Sequence, residues 1–204
     1  MDIEQKEGLI AFYEAELAKY GLDVRSLHWN SIHSQRARFE TLCQVGPLKD
    51  ASILDVGCGL GDLFGYVMEG VKDFRYAGYD ISPKMVESAR IKYPGAQFFV
   101  RDIVQEGVHA SFDYVVASGT FNIRVPNHEQ YLKDTLTAMY NACTVAVAFN
   151  LLAPVDYYWS GDGLFYAVRP GEMLDFCRTL TPQVELQEEY LSGDYTIFMY
   201  KSRP

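Results

Sequence analysis

The chain has 204 residues, 49% of them hydrophobic and 14% aromatic, enough for one well-buried domain and too apolar for a disordered segment. A formal net charge of -9 with no basic run excludes a broad electrostatic grip on nucleic acid. Cys43, Cys58, Cys143 and Cys177 form no Cys-x-x-Cys pair, so neither a metal site nor a disulfide framework is expected. The acidic start Met1-Asp-Ile-Glu lacks a signal-peptide pattern, and no apolar run nears the ~20 residues of a membrane span. The expectation is therefore a cytoplasmic protein with reduced thiols and no membrane partner.

In chain order, Leu9, Ile10, Phe12, Tyr13 and Leu17 recur at helical intervals between Glu4 and Tyr20, and Gly21 is placed to cap that helix. A second helix is expected over Ile32 to Gln44, with Phe39, Leu42 and Cys43 inward, until Gly46-Pro47 breaks it. Between them, Val24 to Ser31 carries His28 and Trp29. From Ala51 onward strands and helices alternate. Strand Ile53 to Val56 leads to a helix over Gly61 to Gly70, and strand Phe74 to Tyr79 to a helix that Ser82-Pro83 starts and Pro94-Gly95 ends. Strands follow at Gln97 to Val100 and Phe112 to Ala117, then a helix over Asn127 to Asn141 and a β-branched strand from Thr144 to Phe149. A helix starting at Arg169 or Pro170 runs to Leu180. Strands Val184 to Leu191 and Tyr195 to Lys201 then flank Ser192-Gly193-Asp194, which reads as a hairpin turn.

Such alternation predicts an α/β fold: a doubly wound, mostly parallel seven-stranded sheet with helices on both faces and an antiparallel C-terminal hairpin. One domain is expected over 1–204. Residues 1–50 would form a helical cap, 51–150 a cofactor-binding core, 151–170 a substrate-side loop, and 171–204 the final helix and hairpin.

The stretch Ile53-Leu-Asp-Val-Gly-Cys-Gly-Leu-Gly-Asp62 is a strand covered on both faces that ends in a glycine turn and opens a helix. Gly57, Gly59 and Gly61 remove side chains that would hold a ligand off the backbone. Asp80 directly follows the second strand, 23 positions beyond Gly57, where a carboxylate can accept two ribose hydroxyls. Asp102 follows the third strand, where it can accept a hydrogen bond from an exocyclic amine such as that of adenine.

These residues resemble the class I S-adenosylmethionine-dependent methyltransferases, whose acid-x-Gly-x-Gly-x-Gly motif is matched by Asp55-Val-Gly57-Cys-Gly59-Leu-Gly61. A nicotinamide-binding fold favours Gly-x-Gly-x-x-Gly, and Asp62 stands where that pattern wants its last glycine, so an NAD(P)-dependent oxidoreductase is the weaker reading. A non-catalytic S-adenosylmethionine-binding interaction protein is the other alternative. The resemblance implies S-adenosylmethionine as cofactor, with the Gly57 to Gly61 backbone and Cys58 near its methionyl end and Asp55 holding the turn and the amino group. It also implies Asp80 on the ribose, Ile81 and Met85 beside the adenine, Asp102 and Ile103 around that ring, and Ser118, Gly119 and Phe121 bordering cofactor and substrate.

For the acceptor, the acidic charge and a modest aromatic cap point to a small molecule. The segment after the fourth strand lacks the Asn/Asp-Pro-Pro-aromatic motif of families that methylate DNA adenine or protein glutamine. Trp29, Tyr157, Tyr158, Trp159 and Tyr166, joined by Phe165 in the same loop, are candidates to enclose the acceptor, and Arg124 and Arg169 to grip an acidic group on it. Methyl displacement demands alignment and exclusion of water; if the acceptor must lose a proton, His28, His33 and Asp156 are the candidate bases.

Overall fold

The computed structural model describes residues 3–29, 31–154 and 163–202. Seven strands, β1 (Ser52–Val56), β2 (Arg75–Asp80), β3 (Gln97–Val100), β4 (Phe112–Ala117), β5 (Cys143–Leu152), β6 (Val184–Gln187) and β7 (Asp194–Tyr200), form one sheet in the order β3-β2-β1-β4-β5-β7-β6. The first five run parallel, and β7 lies antiparallel between β5 and β6. Strand order reverses between β1 and β4, and in an open α/β sheet such a reversal leaves a crevice beyond the carboxyl ends of the strands.

Among the described residues seven α-helices surround the sheet: α1 (Ile3–Tyr20), α2 (Ile32–Leu42), α3 (Asp62–Gly70), α4 (Pro83–Lys92), α5 (Ile103–Glu106), α6 (His128–Ala142) and α7 (Pro170–Leu180). Successive β1 residues serve opposite faces. Ile53 packs with Phe39, Leu63 and Val86 from α2, α3 and α4, whereas Leu54 packs with Leu132, Met139 and Met173 from α6 and α7. All five β1 residues are buried, which is why Ile53 to Val56 reads as an apolar run interrupted only by Asp55.

Local differences from the sequence reading have identifiable causes. Strand β5 extends to Leu152 because it pairs with β7 along its whole upper half, Leu152 opposite Asp194. Strand β6 stops at Gln187 rather than Leu191. Glu189 (φ 71°) and Gly193 (φ 79°) then make a wider connection than a tight hairpin, and Asp194 already belongs to β7. The one-turn helix α5 carries too little periodicity to be read in advance; Asp102 caps it by accepting hydrogen bonds from the Val104 and Gln105 N–H groups. No helix among the described residues is long and apolar enough to cross a membrane.

Candidate functional site

Where β1 ends, Gly57 (φ 72°) and Gly59 (φ 52°) adopt left-handed backbone, and a Cβ on Gly57 would lie 2.6 Å from the Thr120 side chain. The bend is tied to β2: the Gly57 and Cys58 N–H groups donate to the Tyr79 carbonyl at 2.7 and 3.1 Å. Asp80 completes the tie, accepting from the Gly59 N–H on Oδ2 and from the Ser82 N–H on Oδ1, both at 2.9 Å. Burial raises the Asp80 carboxyl against the pull of those N–H donors.

Above this bend opens a cleft enclosing about 1000 Å³ of space, its solvent-filled mouth included. Of the expected cofactor residues, Asp55, Gly57, Cys58, Gly59, Asp80, Ile81, Met85, Asp102, Ile103, Ser118 and Gly119 line it. Gly61 does not. It caps α3 with φ 75°, with Phe98 packed where its Cβ would stand. Phe121 turns inward after β4, is fully buried, and packs against the Tyr131 and Phe149 rings instead of bordering the cleft.

Asp55 lies at the cleft floor, 3% exposed, and accepts a 2.6 Å hydrogen bond from the Tyr76 hydroxyl. Burial first, then the nearby Asp80 and Asp62 carboxylates, push it up to about 7, against the pull of Tyr76. Burial likewise holds the Cys58 thiol well above its ordinary range, which marks a space-filling residue and not a nucleophile. Asp102 spends Oδ1 on the α5 backbone, and its Oδ2 stands 3.3 Å from Lys6 Nζ on α1. Among the described lining residues the charged groups are Asp55, Asp62, Asp80, Asp102 and Arg101. Arg101 lies 5.3 Å over the Tyr79 ring, and its Nε and Nη1 are buried without a hydrogen-bond partner.

The N-terminal helices form the roof. Leu9, Ile10 and Tyr13 from α1, Leu27 and Trp29 from the following segment, and Gln35 and Phe39 from α2 all face the cleft. Leu27 rests on Gly59 and Trp29 on Gly119, so both glycines are needed for close packing of the roof as well as for the bend. Arg38 stacks 4.5 Å over the Trp29 ring and is held by a buried two-point ion pair with Asp194, at 2.6 and 2.7 Å. At the β4 tip, the Gly119 N–H donates to Asn150 Oδ1 at 2.8 Å. On the α6 side, Tyr131 and Thr135 add hydroxyls, and burial raises both the Tyr13 and Tyr131 phenols, with Asp80 adding to each.

Several expected residues stand elsewhere. His28 stacks on Phe12, with Nε2 3.3 Å from Glu16, and does not line the cleft; His33 is exposed on the first turn of α2. Tyr166 stacks at 3.8 Å on His128, which burial and the Arg124 charge lower to about 4. Arg124 donates to the Phe165 carbonyl at 3.2 Å, and Arg169 is exposed beside Glu172. Asp156, Tyr157, Tyr158 and Trp159 lie outside the described residues. The sequence reading missed Tyr13, Gln35 and Tyr131. Helical spacing put Tyr13 on the apolar face of α1, but nothing local said that this face meets the strand tips.

A methyltransferase domain family matches residues 53–142, from β1 through α6. A Mycobacterium tuberculosis (strain ATCC 25618 / H37Rv) protein, Rv1506c, whose name assigns it to the methyltransferases, is 32% identical over 160 residues, 74% of this chain and 93% of its own length. Among solved structures, the Synechocystis PCC 6803 magnesium protoporphyrin IX methyltransferase with bound S-adenosylhomocysteine superposes with a TM-score of 0.72 at 13% identity, covering 97% of this chain and all of that one. The plantazolicin methyltransferase BpumL, also with S-adenosylhomocysteine, gives 0.73 at 14% identity, covering 97% and 96%. The glycine bend, the carboxylate that ties it to β2 and the extent of these similarities lead to one assignment: the chain belongs to the class I S-adenosylmethionine-dependent methyltransferases.

Proposed function

We propose that the protein transfers the methyl group of S-adenosylmethionine to a small-molecule acceptor, with S-adenosylhomocysteine as product. The observation that carries this reading is the glycine bend locked to Asp80 at the floor of an acidic cleft, at the strand-order reversal where ligands of open α/β sheets bind. Asp80 retains lone pairs for the ribose hydroxyls, Ile81 and Met85 offer apolar contact to the adenine, and Asp102 with Arg101 supplies an acceptor and a donor at its edge. Bound there, S-adenosylmethionine supplies an electrophilic methyl on a positively charged sulfur. Ser118, Gly119 and Trp29 then wall the approach, and the α1 roof excludes water, so that alignment does most of the work.

A small acceptor is supported by the net charge of -9, which disfavours nucleic acid, and by the small-molecule names borne by fold relatives such as the magnesium protoporphyrin IX methyltransferase. The four unpaired cysteines support a reducing, cytoplasmic setting. The test is calorimetry with S-adenosylmethionine, S-adenosylhomocysteine and NADH, followed by transfer of a radiolabelled methyl group to a panel of metabolites. Binding of the two adenosyl ligands and labelling of a small acceptor is expected. Binding of NADH alone refutes the reading.

A further inference from the structure

From Val145 to Phe149 strand β5 carries only apolar residues, and then comes Asn150, an amide that is 1% exposed. Burying such a group costs free energy unless its polar atoms are met. Phe149 is paired with Ala117, the last residue of β4, so Asn150 stands against the two residues that follow, Ser118 and Gly119. Its Oδ1 accepts the Gly119 N–H at 2.8 Å, and its Nδ2 donates to Ser118 Oγ at 3.3 Å. The first bond fixes the amide's orientation, since a flipped amide would set its NH2 group against the Gly119 N–H. Ser118 therefore receives a hydrogen from Asn150 and cannot return its own to it. That arrangement directs the Ser118 hydroxyl hydrogen away from Asn150, and Ser118 lines the cleft. Hydrogen bonds in a chain polarise one another, so accepting from Asn150 makes the Ser118 hydroxyl a better donor.

We propose that Asn150 is a positioning residue for methyl transfer: it orients the Ser118 hydroxyl as a hydrogen-bond donor to the attacking group of the acceptor. The inference deepens the methyl-transfer reading given above and rests on it. Ser118 stands at the tip of β4, with Gly119 and Trp29, on the wall along which that reading brings the acceptor. A group that takes this hydrogen keeps a lone pair besides the one that attacks the methyl carbon. A carboxylate, a hydroxyl oxygen or a thiol sulfur meets that condition, and an amine nitrogen, with its single pair, does not. In the transfer one lone pair of that oxygen or sulfur forms the new bond to carbon, and the C–S bonding pair returns to sulfur, giving S-adenosylhomocysteine. A hydroxyl or thiol acceptor then gives its proton to solvent, a carboxylate has none to give, and the Ser118 hydrogen stays on Ser118.

The test uses the full chain with Asn150→Asp, Ser118→Ala and both together. Asn150→Asp keeps the shape and the acceptor for the Gly119 N–H, but its carboxylate has no hydrogen to give and draws the Ser118 hydrogen toward itself. For the acceptor found with radiolabelled methyl, kcat/KM should fall about 10- to 100-fold in each single variant and no further in the double one, as for one lost hydrogen bond shared by both residues. S-adenosylhomocysteine affinity in calorimetry should stay within about threefold, which also reports that each variant is folded; Ser118→Ala serves if the buried carboxylate of Asn150→Asp destabilises the chain. Without any acceptor, the Asn150 side-chain amide protons, identified in NMR spectra by their loss in Asn150→Asp, should move upfield in Ser118→Ala. An unmoved amide signal, additive losses in the double variant, unchanged kcat/KM in both single variants or a methyl group on nitrogen in the product overturns the assignment and leaves the cofactor site standing. Failure of the unaltered chain to bind S-adenosylhomocysteine instead overturns the methyl-transfer reading and this inference with it.

Discussion

Asp55→Asn should be nearly neutral below about pH 4, stabilise the protein by roughly 1–2 kcal/mol at pH 5 and by about 4 kcal/mol at pH 8. The Asp55 carboxyl is raised in the folded state to about 7, whereas in the unfolded chain it titrates near 3.8. The folded state therefore binds its proton more tightly. Stability from this group is complete below about pH 4 and is lost as pH rises through 7. Integrated over that window, the loss is about 4 kcal/mol, of which roughly 2–3 kcal/mol falls between pH 5 and pH 8. Asparagine keeps an oxygen to accept the Tyr76 hydroxyl and removes the titration. Asp80, Asp62 and Tyr76, the groups that act on this carboxyl, are present in both proteins. Urea unfolding of the two proteins at both pH values isolates Asp55, because the other titrations cancel in the difference. The advantage of Asp55→Asn should grow by roughly 2–3 kcal/mol from pH 5 to pH 8, or about 5–10 °C in melting temperature for a chain of this size. An advantage independent of pH, or one that shrinks as pH rises, would falsify the account of a carboxyl raised by burial.

Three further perturbations test the site and its supports. Gly57→Ala forces a side chain into left-handed backbone at φ 72° and to 2.6 Å from Thr120, so it should cost about 2–4 kcal/mol; a melt within 1 °C of the parent protein contradicts that geometry. Asp80→Ala removes the acceptor of the Gly59 and Ser82 N–H groups and the proposed ribose ligand. It should weaken both S-adenosylhomocysteine and 5′-methylthioadenosine about 100-fold or more in calorimetry, and an unchanged dissociation constant refutes the ribose role. Arg38→Met strands the buried Asp194 carboxylate and should cost about 3–5 kcal/mol, while Arg38→Met with Asp194→Leu should recover most of it; a double-mutant cycle without coupling speaks against the pair.

The glycine-bend part of the candidate site was legible because its signals are local. A strand, a glycine bend and the acid ending the next strand are fixed by backbone geometry, so Gly57, Gly59 and Asp80 stand together as their spacing requires. Gln35, Tyr13 and Tyr131 were not legible for the opposite reason. Each lies on a helix whose apolar face is evident, but whether that face meets the core or the strand tips depends on contacts across the chain, as the 27-residue span from Gln35 to Asp62 illustrates. Phe121 shows the converse error. Its place just after β4 put it near the site, yet the direction of its side chain, into the core against Phe149, is set by packing that spacing does not report. The end of β6 and the helix α5 were missed because a single turn or a wide loop carries too few residues to express a period.

The charge of the cleft bears on turnover as well as on binding. Of the four lining carboxyls among the described residues, Asp62 and Asp102 are paired with Lys92 and Lys6, which leaves Asp55 and Asp80 beside one guanidinium, and S-adenosylmethionine carries one more positive charge than the product it becomes. In the proposed complex these carboxyls favour the charged sulfonium over the uncharged sulfur of the product. Because the cleft opens to solvent at its mouth, added salt screens part of that attraction. Raising KCl from about 50 to about 500 mM, a change that shortens the screening length severalfold, should weaken S-adenosylmethionine binding more than S-adenosylhomocysteine binding in calorimetry. Parallel salt dependences for the two ligands would mean that the sulfonium lies outside the field of these carboxylates, and the acidic lining would then serve the ribose and the amino-acid tail alone.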